Sequence, residues 1–154
     1  MVKKLKLTIE LVPKTSWCNN VRKIVSKSSW NEIRQKANAK CDNKCSSCGS
    51  EGRLNCHEIW QYDDQNYIQR LIGFTALCNL CHHVKHLGIA IVLANQGKLN
   101  YDRIVKHFMR VNNCDRATFE EYRIKAFDQW RSRSQHDWKV ELGEYEHLIQ
   151  PKTI

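Results

Sequence analysis

Two cysteine pairs carry the clearest chemical signal in the sequence. Cys45-Ser46-Ser47-Cys48 and Cys78-Asn79-Leu80-Cys81 are both Cys-x-x-Cys turns, with twenty-nine residues between them. Each turn points two thiolates into one volume, and two such turns make a closed tetrahedral four-cysteine cage suited to structural Zn2+. Gly49 follows the second cysteine and supplies the permissive backbone that such a knuckle needs. A lone pair would equally suit a redox dithiol or buried free thiols; two pairs flanking a hairpin favour zinc. Cys41 stands four residues before Cys45 and is an alternative fourth ligand. Cys18, Cys56 and Cys114 have no obvious base beside them and read as small core residues or incidental thiols.

Histidines add a second set of donors. His82 follows Cys81 directly, and His83 and His86 follow on the same expected helix. His82 and His86 are spaced i, i+4, so both imidazoles share one helix face and can reach one metal. His57 lies beside Glu58 in the expected hairpin. A zinc cage holding that strand against the helix would bring His57 or Glu58 towards His82 and His86, and so a second, open metal site is expected. His107, His136 and His147 read as structural or surface histidines.

These side chains must be positioned by the surrounding elements. Lys4 to Val12 alternates apolar and polar residues and predicts a half-buried strand ended by Pro13. A short helix is expected over 19–25. Ser29-Trp30-Asn31-Glu32 has capping-box form and would open a helix reaching Lys40. Leu54 to Tyr62 and Tyr67 to Leu77 predict two strands about the turn Asp63-Asp64-Gln65-Asn66. Leu80, Val84, Leu87 and Ile91 form one helical stripe. Further helices are expected over Tyr101–Val111 and from the capping box Thr118-Phe119-Glu120-Glu121 to Arg133, with a last strand at Trp138–Leu142. There is no repeat or linker. The chain therefore reads as one α+β domain, 1–154, with a basic segment 1–40, a metal-bearing core 41–96 and a helical extension 97–154.

Composition narrows the function classes. The 154 residues hold 25 Lys and Arg against 16 Asp and Glu, a net charge of +9. The excess is concentrated: residues 1–40 carry ten bases and two acids, Glu10 and Glu32, whereas the rest carries fifteen and fourteen. Such a block attracts polyanions, nucleic acid foremost. The longest apolar run, Leu87 to Ala94, is under half of the roughly 20 residues that a membrane span needs. No secretory h-region is read at the N-terminus, so a cytoplasmic protein without disulfides or a membrane partner is expected. Trp30, Trp60 and Tyr62 read as core filling around the hairpin rather than base-stacking residues. Lys125, Arg131 and Arg133, with Glu121 and Asp128, read as a solvated mixed-charge helix face.

The pattern Cys-x-x-Cys-Gly, Leu-x-x-His-Glu, then Leu-Cys-x-x-Cys-His-x-x-x-His resembles a zinc-stabilised His-Asn-His (HNH) endonuclease. The resemblance covers about Cys45 to His86, with a looser likeness over Trp17–Ile33 and Gln69–Gly73. It implies a ββα-metal centre flanked by an N-terminal strand and additional helices, and hydrolysis of phosphodiester bonds in nucleic acid, with DNA favoured. It also implies that His57 is the general base and that His82 and His86 hold a catalytic Mg2+ or Mn2+. Cys45, Cys48, Cys78 and Cys81 match the structural zinc ligands. Two positions depart from the family. Cys56 stands where Asp or His usually precedes the base, and Gly73 stands five residues before Cys78, where Asn commonly falls. Glu58 is the available substitute, as ligand or as base with His57 then a ligand, and neighbouring strand residues can both serve only if the strand bends there. The competing expectation is an inactive, zinc-bearing nucleic-acid-binding protein of the same fold.

Overall fold

The computed structural model describes residues 4–16 and 20–149. Cys18, Trp17 and the first residue of the short 19–25 helix lie outside them.

The architecture is α+β: α1 (Val21–Ile24), α2 (Lys27–Lys40), β1 (Asn55–Asp63), β2 (Ile68–Leu77), α3 (Asn79–Lys85), α4 (Leu87–Asn95), α5 (Tyr101–Asn112), α6 (Arg116–Arg133) and β3 (Lys139–Glu141). β1 and β2 form the expected antiparallel hairpin, and β3 adds in parallel to β2, giving the order β1-β2-β3. The turn is built as its residues suggest, with Asp63 Oδ1 accepting the backbone N–H of Gln65 and Asn66.

One apolar cluster joins the Leu77 end of the hairpin to the helices. It includes Leu7, Leu77, Val84, Leu87, Ile104, Phe108 and Phe119. A second cluster, with Val21, Ile33, Leu71, Phe74 and Leu142, seals one face of the sheet under α1 and α2. The α3 stripe is as expected, Val84 and Leu87 being fully buried. The helix is not continuous, however. Its backbone departs from helical geometry at His86, where α3 ends and α4 begins.

Three local expectations are corrected. The 4–12 segment pairs with no strand among the described residues. Leu7 is fully buried and Leu5 and Ile9 pack on the main cluster, so the alternation reflects burial on one side. Its backbone is instead held by a side chain. Asn112 Oδ1 accepts from the N–H of Lys6 and Leu7, and Asn112 Nδ2 donates to the Leu7 carbonyl. The α2 cap is Ser26 rather than Ser29: Ser26 Oγ accepts the Ser29 N–H at 3.0 Å. The α6 cap is Asp115, whose carboxylate accepts from Thr118 N–H at 2.8 Å. In both cases the expected cap is the N3 residue, and a side-chain acceptor one turn earlier takes its place.

Candidate metal centre

The cysteine pairs meet as their spacing requires. Sγ atoms of Cys45, Cys48, Cys78 and Cys81 all lie within 4.8 Å of one another. Cys48 and Cys78 are 3.6 Å apart, sulfur to sulfur. A disulfide would need about 2.05 Å, whereas the edge of a tetrahedron with Zn–S bonds of about 2.3 Å is about 3.8 Å. The donor set and spacing therefore fit a structural zinc, and four cysteines that could hold it are in place. Cys41 is not among them; its Sγ lies 3.7 Å from Thr75 Oγ1.

Local backbone explains the convergence. Gly49 adopts φ +76° and closes the first knuckle, its N–H donating to the Cys45 carbonyl at 2.8 Å. Ser46 N–H donates to the Ala76 carbonyl, tying this knuckle to β2. The second knuckle opens α3: Cys78 is its N-cap, and its sulfur accepts the Cys81 N–H. The thiols are electrostatically linked. The Cys81 hydrogen bond pulls Cys45 down to about 4 despite burial, helped by N–H groups of Cys78, Cys48 and Ser47. Cys81 is pushed strongly upward by that same bond and by burial. Four thiols crowded this closely favour loss of protons to a bound cation, because metal ligands must be deprotonated.

A second cluster lies on the same hairpin and helix. Ring nitrogens of His57, His82 and His86 lie within 4.8 Å of one another. The ring centroids are 5.5 Å apart for His57–His82, 5.1 Å for His57–His86 and 4.7 Å for His82–His86. Burial pushes His82 down to about 3, with the neighbouring His86 and His57 adding to the effect. Burial and His57 push His86 down to about 4. Both are neutral at pH 7, with lone pairs ready for a metal. Imidazole donors suit first-row transition ions better than Mg2+, which prefers oxygen.

Glu58 is placed elsewhere. Strand alternation turns it and Cys56 to the opposite face from His57, and the β-bulge in the hairpin falls between Ile59 and Trp60, too late to reverse that. Glu58 Oε1 accepts the Val21 N–H at 3.0 Å, and burial raises its pKa. Cys56 packs in the second apolar cluster, where burial, with the Glu58 charge adding, pushes its thiol up to about 11.

The carboxylate that does reach His57 is Glu10. Its Oε2 lies 3.2 Å from His57 Nε2, and its Oε1 accepts from Lys85 Nζ at 2.9 Å. Burial alone would raise the Glu10 carboxyl; the His57 hydrogen bond and the Lys85 ammonium overcome it and hold it down at about 2. An ionised carboxylate only accepts, so His57 Nε2 carries the proton of this contact. Glu10 is forty-seven residues from His57; the sequence marked it only as a polar position in an alternating segment and as one of two acids in the basic 1–40 stretch.

The three histidines and Glu10 line a cavity of about 1370 Å3 that extends past the hairpin to Cys56 and Glu58 and to Arg22, Arg34 and Arg53. Trp60 and Trp30 pack with the second apolar cluster, Trp30 edge-on to Phe74. Arg133 is not a solvated residue. It forks onto Asp64 at 2.8 and 3.0 Å and lies 4.2 Å over the Tyr62 ring. Lys125–Glu121 and Arg131–Asp128 are exposed pairs as expected. No helix among the described residues is long and apolar enough to cross a membrane. Comparison with protein-family models, with curated proteins and with solved structures finds no match for the chain.

Proposed function

We propose that the chain is a metal-dependent endonuclease of the HNH type, built on a ββα-metal centre and cleaving phosphodiester bonds, with DNA as the favoured substrate. The observation that carries this reading is the meeting of His57 from the hairpin with His82 of α3 and His86 at the α3–α4 junction, in a cavity that arginines also line. His82 and His86 would hold a divalent ion, Mn2+ suiting them better than Mg2+. Such an ion supplies positive charge against the oxygens on which negative charge builds during phosphodiester cleavage. His57 accepts the proton of the attacking water on Nδ1, and Glu10 stabilises the imidazolium that forms. Arg22, Arg34 and Arg53 bind the flanking phosphates. Cys45, Cys48, Cys78 and Cys81 hold zinc, do no chemistry and clamp the hairpin to α3.

A second reading makes His57 a third metal ligand, favoured by its nitrogen lying within 4.8 Å of both helix donors. The experiment incubates plasmid and single-stranded DNA with the protein and Mn2+ or Mg2+, with and without chelator. Chelator-sensitive cutting is expected, falling about 10^2- to 10^4-fold in His57→Ala. Mn2+ affinity separates the two readings, being kept in that variant for a base and lost for a ligand. DNA binding without cleavage in any metal would overturn the nuclease and leave a zinc-bearing nucleic-acid-binding protein.

A further inference from the structure

His107, on α5, touches the cysteine cage from behind. Its Nε2 lies 3.1 Å from Cys81 Sγ, and its Nδ1 lies 2.9 Å from Arg110 Nη2. Both His107 and Cys81 are buried, at 4% and 0% exposure, so water does not compete for the contact between them. The direction of the chain follows from donor inventory. A guanidinium has only donors, so Nδ1 must accept from Arg110. The single ring proton is then on Nε2, and it points at the Cys81 sulfur. Arg110 and His107 are one turn apart, so the helix itself sets the pair.

We propose that His107 and Arg110 form an outer-sphere relay, Arg110 to His107 to Cys81, which donates a hydrogen bond to the zinc thiolate and holds the metal in the cage. Zinc with four thiolates carries two net negative charges, and in a closed apolar setting these need compensation. Cys45 receives backbone N–H groups, from Ser47 and Cys48 in its own knuckle and from Cys78 in the other. Cys81 instead receives an imidazole N–H backed by an arginine, from a residue twenty-six positions along the chain. α5 is therefore part of the metal centre, and not only of the helical extension. The proposal rests on zinc occupying the four cysteines and is independent of the nuclease reading.

The test uses the full chain loaded with zinc and, separately, with Co2+, whose sulfur-to-metal charge-transfer band reports the electron density on sulfur. His107→Phe fills the space without a donor. It should weaken zinc retention against a competing chelator about 10- to 100-fold, and shift the Co2+ band to lower energy. His107→Gln, whose amide N–H can reach the sulfur, should restore both towards wild type. Arg110→Met, at an exposed position, should shift the band in the same direction by a smaller amount, and it decides the matter if His107→Phe does not fold. Wild-type zinc retention and an unshifted band in folded His107→Phe, or an unshifted band in Arg110→Met, would overturn the relay.

Discussion

Single side chains decide the chemistry of this centre, and Glu10 shows how. One residue ties its own segment to two elements: Oε2 meets His57 on β1, Oε1 meets Lys85 on α3, and its N–H donates to the Lys85 carbonyl at 3.1 Å. The Lys85 side chain is 10% exposed and has Thr8 Oγ1 as a second acceptor at 2.8 Å. Removing Glu10 leaves this ammonium largely buried without its counter-charge and frees the His57 ring to rotate. Glu10→Ala should therefore lower stability by about 1.5–3 kcal/mol, the range for hydrogen bonds to charged groups, read by denaturant melts. On the proposed nuclease reading, DNA cleavage should fall with it. Glu58→Gln gives the contrast, because its carboxylate supports α1 and not the histidines; a loss of Mn2+ affinity in that variant would contradict the placement.

At the scale of elements, an asparagine does the work expected of a strand partner. The amide of Asn112, 3% exposed, makes three hydrogen bonds to the backbone of Lys6 and Leu7. These hold the segment that carries Glu10. Asn112→Ala should cost about 3 kcal/mol, since buried backbone groups left without partners cost roughly 1–3 kcal/mol each and part of the segment can rehydrate. Hydrogen exchange at Lys6 and Leu7 should accelerate while β1 and β2 stay protected. Unchanged exchange at these two amides would mean that packing of Leu7 alone holds the segment.

For the molecule as a whole, a zinc in the four-cysteine cage would couple folding to metal. Cys45 and Cys81 belong to the main apolar cluster, with Leu77, Val84 and Phe108. Without an ion, four closely spaced thiols, two of them buried, stand at the edge of that core. Purified protein should hold about one zinc per chain, and the Cys45→Ala, Cys78→Ala double variant should lose both the zinc and cooperative thermal unfolding. A zinc-free protein that melts cooperatively at the wild-type temperature would overturn the structural role.

The sequence by itself determined what local spacing encodes. Two Cys-x-x-Cys turns, an i, i+4 histidine pair and a polar hairpin tetrapeptide each constrain atoms within a turn of one another, so the cysteine knuckles, the helix histidines and the hairpin were legible. Alternation along 4–12 predicts a strand, but what it encodes is one-sided burial, which an extended segment packed on helices shows with the same period as a strand. Tertiary structure decided the rest. Which face of β1 meets α3 assigned His57 to the histidine cluster and Glu58 to the base of α1, and the two neighbours could not be told apart before that face was known. Glu10, His107 and Asn112 act across forty-seven, twenty-six and about one hundred and five residues of chain. No periodicity spans such distances. Only the packing of helices and sheet around shared apolar clusters brings these groups to their partners.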